Sequence, residues 1–268
     1  MRAPLRTGRA TAARCRRQLS DRELAVVASL DGYRYLTARQ IGELHFFDHA
    51  TPLTGARTCR RVLERLTRVG VLWRLDRRIG GVRAGSVSFV YALGPLGYRV
   101  LRDKGGARIR RHEPSAEFLD HTLAVAQLAV DLHRLARSGR IDLVDIEPEP
   151  DCWRKFTAGL EGVQILKPDL SVSLRATDYE YHWFVEIDLS THSAAAVVRK
   201  CQLYNRYWST GIEQDRSGLF PRVLFVTPNA RRAGLLERAI GGARQLSAKL
   251  FAVTTTADAM ECLTGAVS

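Results

Sequence analysis

The chain has no apolar run approaching the roughly 18 residues needed to cross a bilayer, which argues against a membrane protein. Its start also lacks the apolar core and cleavage site of a secretory signal. Residues 1–18 instead carry Arg2, Arg6, Arg9, Arg14, Arg16 and Arg17, so a cytoplasmic protein is expected. Paired cysteines are missing too: Cys15, Cys59, Cys152, Cys201 and Cys262 form no C-x-x-C and total an odd number. That spacing excludes a disulfide frame and a zinc cage, and it leaves five reduced thiols in apolar surroundings. His121 and His192 have no companion at metal-ligand spacing. Acidic residues are scarce at one end only. Residues 1–111 hold 24 Lys+Arg against 8 Asp+Glu, leaving 17 against 20 for the rest of the chain. Lysine is scarce as well, Lys104 being the single one in that basic stretch. A positive field confined to one part of the chain is the footprint of a polyanion partner rather than of solubility alone. Arginine suits that partner, because its planar fork donates two parallel hydrogen bonds to a phosphate or a guanine edge.

At 268 residues, two modest domains are expected. Residues 1–19 read as a basic, flexible leader. Residues 20–105 then carry the signals of a winged helix-turn-helix. Ser20-Asp21-Arg22-Glu23 fits a capping box ahead of an apolar face of Leu24, Val27 and Ala28. Thr37 is placed to cap a short helix burying Ile41 and Leu44. A Thr-Pro-Leu-Thr-Gly loop leads to a third helix over Ala56–Val69, where Cys59, Val62, Leu63, Leu66 and Val69 recur at helical spacing. Gly70 ends it, and extended segments over Val71–Arg77 and Ser86–Leu93 predict a hairpin with a basic Gly-rich tip. In a helix-turn-helix the last helix enters the major groove. Arg57, Arg60 and Arg61 are therefore the candidate DNA contacts on that helix, and Arg77, Arg78 and Arg83 those on the wing.

Residues 106–114 read as a linker, and 115–268 as an α/β domain. A helix over Phe118–Arg137 precedes strands over Ile141–Ile146, Asp169–Arg175 and Tyr181–Leu189, a helix over Ser193–Trp208, a strand over Arg222–Thr227 and a helix over Arg231–Phe251. Ala252–Thr256 reads as a short edge strand. The order predicts a mixed sheet flanked by helices, and an α+β chain overall.

Lys167-Pro168-Asp169-Leu170 precedes one strand of that sheet, and Glu186 and Asp188 share a face of the next. Asp169, Glu186 and Asp188 together offer the hard oxygen donors that Mg²⁺ or Mn²⁺ requires. Tyr204, with Tyr207 and Trp208 behind it, reads as a stacking contact for an unpaired base, against the plainer alternative of a packed aromatic cluster. Pro168-Asp169 followed by Glu186-x-Asp188 and a helix with Lys200 and Tyr204 resembles the PD-(D/E)xK nuclease superfamily. Joined to a winged helix, the Glu-x-Asp-x-x-Thr and Lys-x-x-x-Tyr arrangement resembles the replication-relaxation family of plasmids and integrative elements, whose relatives include the MOB-C class of conjugative relaxases. The resemblance spans residues 20–230. It implies a restriction-endonuclease-like second domain with Asp169, Glu186, Asp188 and Lys200 as catalytic residues. It departs from the pattern at one place: Asp188 stands where the superfamily has its lysine, so Lys200 has to act from the next helix.

Three functions remain open at this point. The first is a mobile-element protein that nicks or relaxes DNA with a divalent cation, in replication or conjugative transfer. The second is a DNA-binding accessory factor whose nuclease-like domain is inactive. The third is a restriction-like endonuclease, which needs a homodimer to cut both strands. DNA is the expected partner in each, with other replication or transfer proteins beside it and no membrane.

Overall fold

The computed structural model describes residues 9–79, 88–101, 113–157 and 162–265. The chain divides into two compact units, Met1–Val130 and Asp131–Ser268. Among the described residues no helix is long and apolar enough to cross a membrane.

The first unit opens with α1 (Arg9–Gln18) and α2 (Asp21–Tyr33), followed by β1 (Leu36–Thr37), α3 (Ala38–His45), α4 (Pro52–Arg68), β2 (Leu72–Ile79), β3 (Ser88–Leu93) and α5 (Pro95–Leu101). Helix α6 (Ala116–Arg137) runs from it into the second unit. The expected Ser20–Glu23 capping box forms, and the expected Thr37 cap proves to be a box with Gln40. The three strands make an antiparallel sheet in the order β1-β3-β2, with Leu36 opposite Tyr91 and Leu72 opposite Leu93. Its core joins Val26, Val27 and Leu30 of α2 to Ile41 of α3, Cys59, Leu63 and Leu66 of α4, and Leu72 and Leu93 of the strands.

Three details depart from the sequence reading. The Thr-Pro-Leu-Thr-Gly segment is the first turn of α4 rather than a loop. Thr51 caps it by accepting from the Thr54 amide at 3.1 Å, and Pro52 takes the first helical position, where no amide is required. Gly55 belongs to the same turn, since a Cβ there would lie 2.4 Å from the Phe46 carbonyl. Within the stretch read as a leader, residues 9–18 are helical: Ala12 enters the core, and Arg16 donates to the Val100 carbonyl at 2.9 Å. Finally, the seam between units falls inside α6, not near residue 112. Leu119 and Leu123 pack on Leu75 and Val90, and the Gln40 amide donates to the Leu123 carbonyl at 2.9 Å.

The second unit contains β4 (Asp142–Pro148), β5 (Arg154–Thr157), β6 (Val163–Leu166), β7 (Leu170–Ala176), β8 (Tyr179–Ile187), α7 (Ala194–Ser209), α8 (Ile212–Ser217), β9 (Arg222–Thr227), α9 (Ala230–Gly241), β10 (Phe251–Thr255) and α10 (Ala259–Leu263). Its mixed five-stranded sheet runs β10-β9-β8-β7-β4. Strands β4, β7 and β8 are antiparallel neighbours, whereas β9 and β10 join in parallel after the helical crossovers α7 and α9. The expected edge strand is therefore present. The helix preceding it ends ten residues earlier than the sequence reading, because Gly241-Gly242 ends it and Phe251 already pairs with Val223. Strands β5 and β6, unanticipated, form a separate two-stranded antiparallel ribbon. Phe184, Tyr204, Tyr207, Phe225, Leu236 and Phe251 fill the layer between the sheet and its helices.

Candidate active site

The register of the sheet assembles the centre. Leu170 lies opposite Val185, so Asp169, one residue before β7, comes alongside Glu186 on β8. Its amide donates to the Val185 carbonyl at 3.0 Å, and its Oδ2 accepts from the Ile187 amide at 2.7 Å. Glu186 lies in the middle of the sheet, between β7 and β9, and its side chain follows Phe184 onto the face covered by α7. Two residues one helical turn apart on α7 receive it. The Lys200 ammonium donates to Oε2, and the Tyr204 hydroxyl donates to Oε1 at 2.5 Å. Asp169, Glu186 and Lys200 thus come together, with Lys200 placed by the helix that follows the strand.

Burial sets the electrostatics. It pushes the Glu186 carboxyl up to about 7, with the Asp169 charge adding to the rise and Lys200 opposing it. For Lys200 the burial cost is outweighed by Glu186 and Asp169, so its ammonium is held above its ordinary range. Burial and the Glu186 charge raise the Tyr204 phenol well above its usual value. The sign of the resulting linkage is definite. Between the ordinary value of 4.5 and about 7, the native chain keeps a proton that the unfolded chain has released. Stability therefore falls as pH rises through that window, by roughly 1 kcal/mol per unit, and levels off above it. We expect urea midpoints of chelator-treated protein to decline from pH 5 to 7, and Glu186→Gln to remove that share of the slope.

Asp188 does not join the centre. Arg232, near the start of α9, grips both its oxygens, with Nε at 2.8 Å from Oδ1 and Nη2 at 2.7 Å from Oδ2. The Ser190 amide donates to Oδ1 at 2.7 Å, and Arg232 also reaches the His192 carbonyl at 2.7 Å. This pair fastens the turn from β8 into α7, where Ser190 has a φ of +66°. The three-carboxylate cation cage expected from sequence is thus not formed, and among the described residues no three Asp, Glu, His or Cys side chains are placed to share a metal ion. The reason lies 44 residues away: sequence spacing put Asp188 beside Glu186 but carried no sign of Arg232. Arg232→Ala should cost about 3 kcal/mol, since it leaves the buried Asp188 charge without its cation, and Asp188→Ala should cost less, since Arg232 is only partly buried and keeps the His192 carbonyl. The double variant should cost less than their sum in a urea-denaturation cycle.

Two carboxylates remain, and they suit magnesium, which usually takes one or two protein carboxylates and completes its octahedron with water and substrate phosphate. Asp169 and Glu186 are adjacent, buried and accompanied by a cation.

Tyr204 is fully buried against Phe184 and Phe251, so it has no face for a base, and its place among the nucleic-acid contacts is withdrawn. Tyr207 is buried likewise and donates to Glu213 at 2.5 Å. Glu213 in turn accepts from Arg154 at 3.1 Å, and Arg154 reaches Glu147 at 3.0 Å, a buried network that no local motif announced.

In the first unit, α4 buries Gly55, Cys59, Leu63 and Leu66 and turns Arg57, Arg60 and Arg61 outward. Among the described residues none of these three has a carboxylate in ion-pair range. Arg65 is different, because it crosses to the buried Glu23, and Arg68 meets Glu64 at 3.3 Å. Arg83 and the side chains of Arg77 and Arg78 lie outside the described residues.

No curated protein and no solved structure matches the chain significantly. A family model does, over residues 27–223, which takes in α4, the Asp169–Glu186–Lys200 group and the Asp188 turn alike. Since that match covers well over half of the chain, the protein belongs to the replication-relaxation family.

Proposed function

We propose that the protein binds DNA through its first unit, as a winged helix, and nicks one strand at a PD-(D/E)xK-type centre in the second, in the replication or transfer of a plasmid or related element. The observation that carries this reading is the hydrogen bond from Lys200 to Glu186, beside Asp169. It supplies from α7 the cation that Asp188 replaces in the strand motif. Helix α4 supports the DNA-binding half, because its packed face leaves an arginine face turned outward.

Asp169 and Glu186 would hold a divalent cation, Mg²⁺ or Mn²⁺, which when bound polarises the scissile phosphate and lowers the pKa of a water. The chain's own residues do the rest. Glu186 binds through its ionised form, and Tyr204 fixes its orientation through Oε1. Lys200 stays protonated and presents positive charge to the phosphate oxygens as negative charge grows on them. The β7–β8 register and the Ile187 amide hold Asp169 still, so little reorganisation accompanies the reaction.

The test is conversion of supercoiled plasmid from a cognate element to open circle by purified protein, with Mg²⁺, Mn²⁺ or chelator. Metal-dependent open circle is expected. If no plasmid is nicked while duplex binding persists, the accessory-factor reading takes its place.

A further inference from the structure

The β5–β6 ribbon has two unlike faces. Arg154, Phe156 and Leu166 point into the unit and are buried. The alternate positions point out, and the register Lys155↔Ile165 and Thr157↔Val163 sets them side by side. Val163 and Ile165 are 62% and 45% exposed, high values for aliphatic side chains. One step beyond the register pair Arg154↔Leu166, Lys167 lies over the ring of Trp153, with its ammonium 4.4 Å from the ring centroid. The Trp153 indole N–H is buried and meets no acceptor among the described residues. Among the described residues neither Lys155 nor Lys167 forms an ion pair, and residues 153–157 and 162–167 include no Asp or Glu. Among the described residues this face is built of one tryptophan, two lysines, a threonine and two aliphatic residues, without an acid, and it complements an unpaired nucleic-acid strand. The aromatic ring offers a stacking surface for any base, and the lysines match the phosphate charge. The ribbon is also continuous with the candidate centre. Lys167 is two residues from Asp169, and the Cys152 thiol beside Trp153 donates to the intervening Pro168 carbonyl at 3.0 Å.

From this we infer that the outer face of the β5–β6 ribbon binds a single strand of DNA and leads it to Asp169. Trp153 stacks an unpaired base once Lys167 leaves the ring for a phosphate, Lys155 takes a second phosphate, and Val163 and Ile165 pack on sugar and base. This deepens the nicking proposal and rests on it for the purpose of the bound strand, since strand-specific cutting needs an unpaired segment at the carboxylates.

The test uses the full chain, a short fluorescein-labelled oligothymidylate and an excess of unlabelled duplex to occupy the first unit. Anisotropy should show oligonucleotide binding that weakens roughly 10-fold or more in Trp153→Ala, while Trp153→Phe restores most of it. Lys155→Gln with Lys167→Gln, both at exposed positions, should lower the salt slope by about 1.4, the value for two single-strand phosphate contacts. Duplex affinity and urea midpoints of the lysine variant should match the parent. Unchanged oligonucleotide affinity and slope in the lysine variant, or no binding by the parent, overturns the inference. Oligonucleotide binding that depends on Trp153 in a protein that never nicks sustains the ribbon and removes the nicking reading. Normal nicking with ribbon variants that bind like the parent does the reverse.

Discussion

Asp169→Asn, Glu186→Gln and Lys200→Ala should each slow metal-dependent nicking by roughly 10²- to 10³-fold, the usual cost of deleting one electrostatic partner of a transition state. The three should fail for different reasons. The two carboxylate changes halve the oxygen charge available to a cation, so added Mn²⁺ should recover part of the loss. Lys200→Ala leaves both carboxylates in place, and metal should not rescue it. None of the three is expected to unfold the protein. Glu186→Gln removes a buried carboxyl whose ionisation burial already opposes, and Tyr204 still has an oxygen to bond. Because α4 belongs to the other unit, gel shifts on relaxed duplex should be unchanged in all three. Nicking that survives loss of both Asp169 and Glu186 places the chemistry elsewhere. Asp188→Asn is the internal control, since it loosens the Arg232 grip without touching the Asp169–Glu186–Lys200 group.

What could be read from the sequence was whatever local spacing encodes. The Ser20 box and the Thr37 cap each act over three residues, and the strand Arg222–Thr227 holds four consecutive apolar residues, so these were legible. The alliance of Asp169 with Glu186 was legible for a similar reason: a short connection between neighbouring antiparallel strands leaves few registers open. Lys200 needed the family resemblance, because nothing in residues 187–199 says which way α7 faces. Arg232 and the Arg154–Glu213 network were hidden, their partners lying 44 and 59 residues apart on different elements, beyond the reach of any local pattern. Tyr204 is a stacking candidate by its neighbours, yet an aromatic at helical spacing is more often core, and core is where it lies. Its burial, and its hydroxyl's bond to Glu186, make it part of the centre's support instead. The β5–β6 ribbon escaped notice because its strands are four residues long, too short for alternation to stand out.

Replacing Arg57, Arg60 and Arg61 together with Gln should weaken duplex binding by roughly 10²-fold near physiological salt and lower the slope of log K against log salt by about 2.7, the value for three phosphate contacts on duplex DNA. The expectation follows from how α4 divides its circumference. Gly55, Cys59, Leu63 and Leu66 recur at three or four residues and hold the helix to the core, so the opposite side cannot turn inward. Arg65 and Arg68 spend their charge on Glu23 and Glu64, whereas Arg57, Arg60 and Arg61 meet no carboxylate among the described residues. Their positive charge is therefore available to a polyanion without first breaking an ion pair. Glutamine keeps helix propensity close to that of arginine, and all three sites are exposed, so stability should move by less than about 0.5 kcal/mol. Arg65→Gln provides the contrast. It should lower stability by about 1 kcal/mol, because the buried Glu23 loses its charged partner, yet change the salt slope little. Filter binding across a salt series, run beside urea denaturation, separates the two. A slope unchanged in the folded triple variant removes α4 from the DNA interface, and a slope that falls equally with Arg65→Gln shows that net charge, not this face of the helix, governs binding.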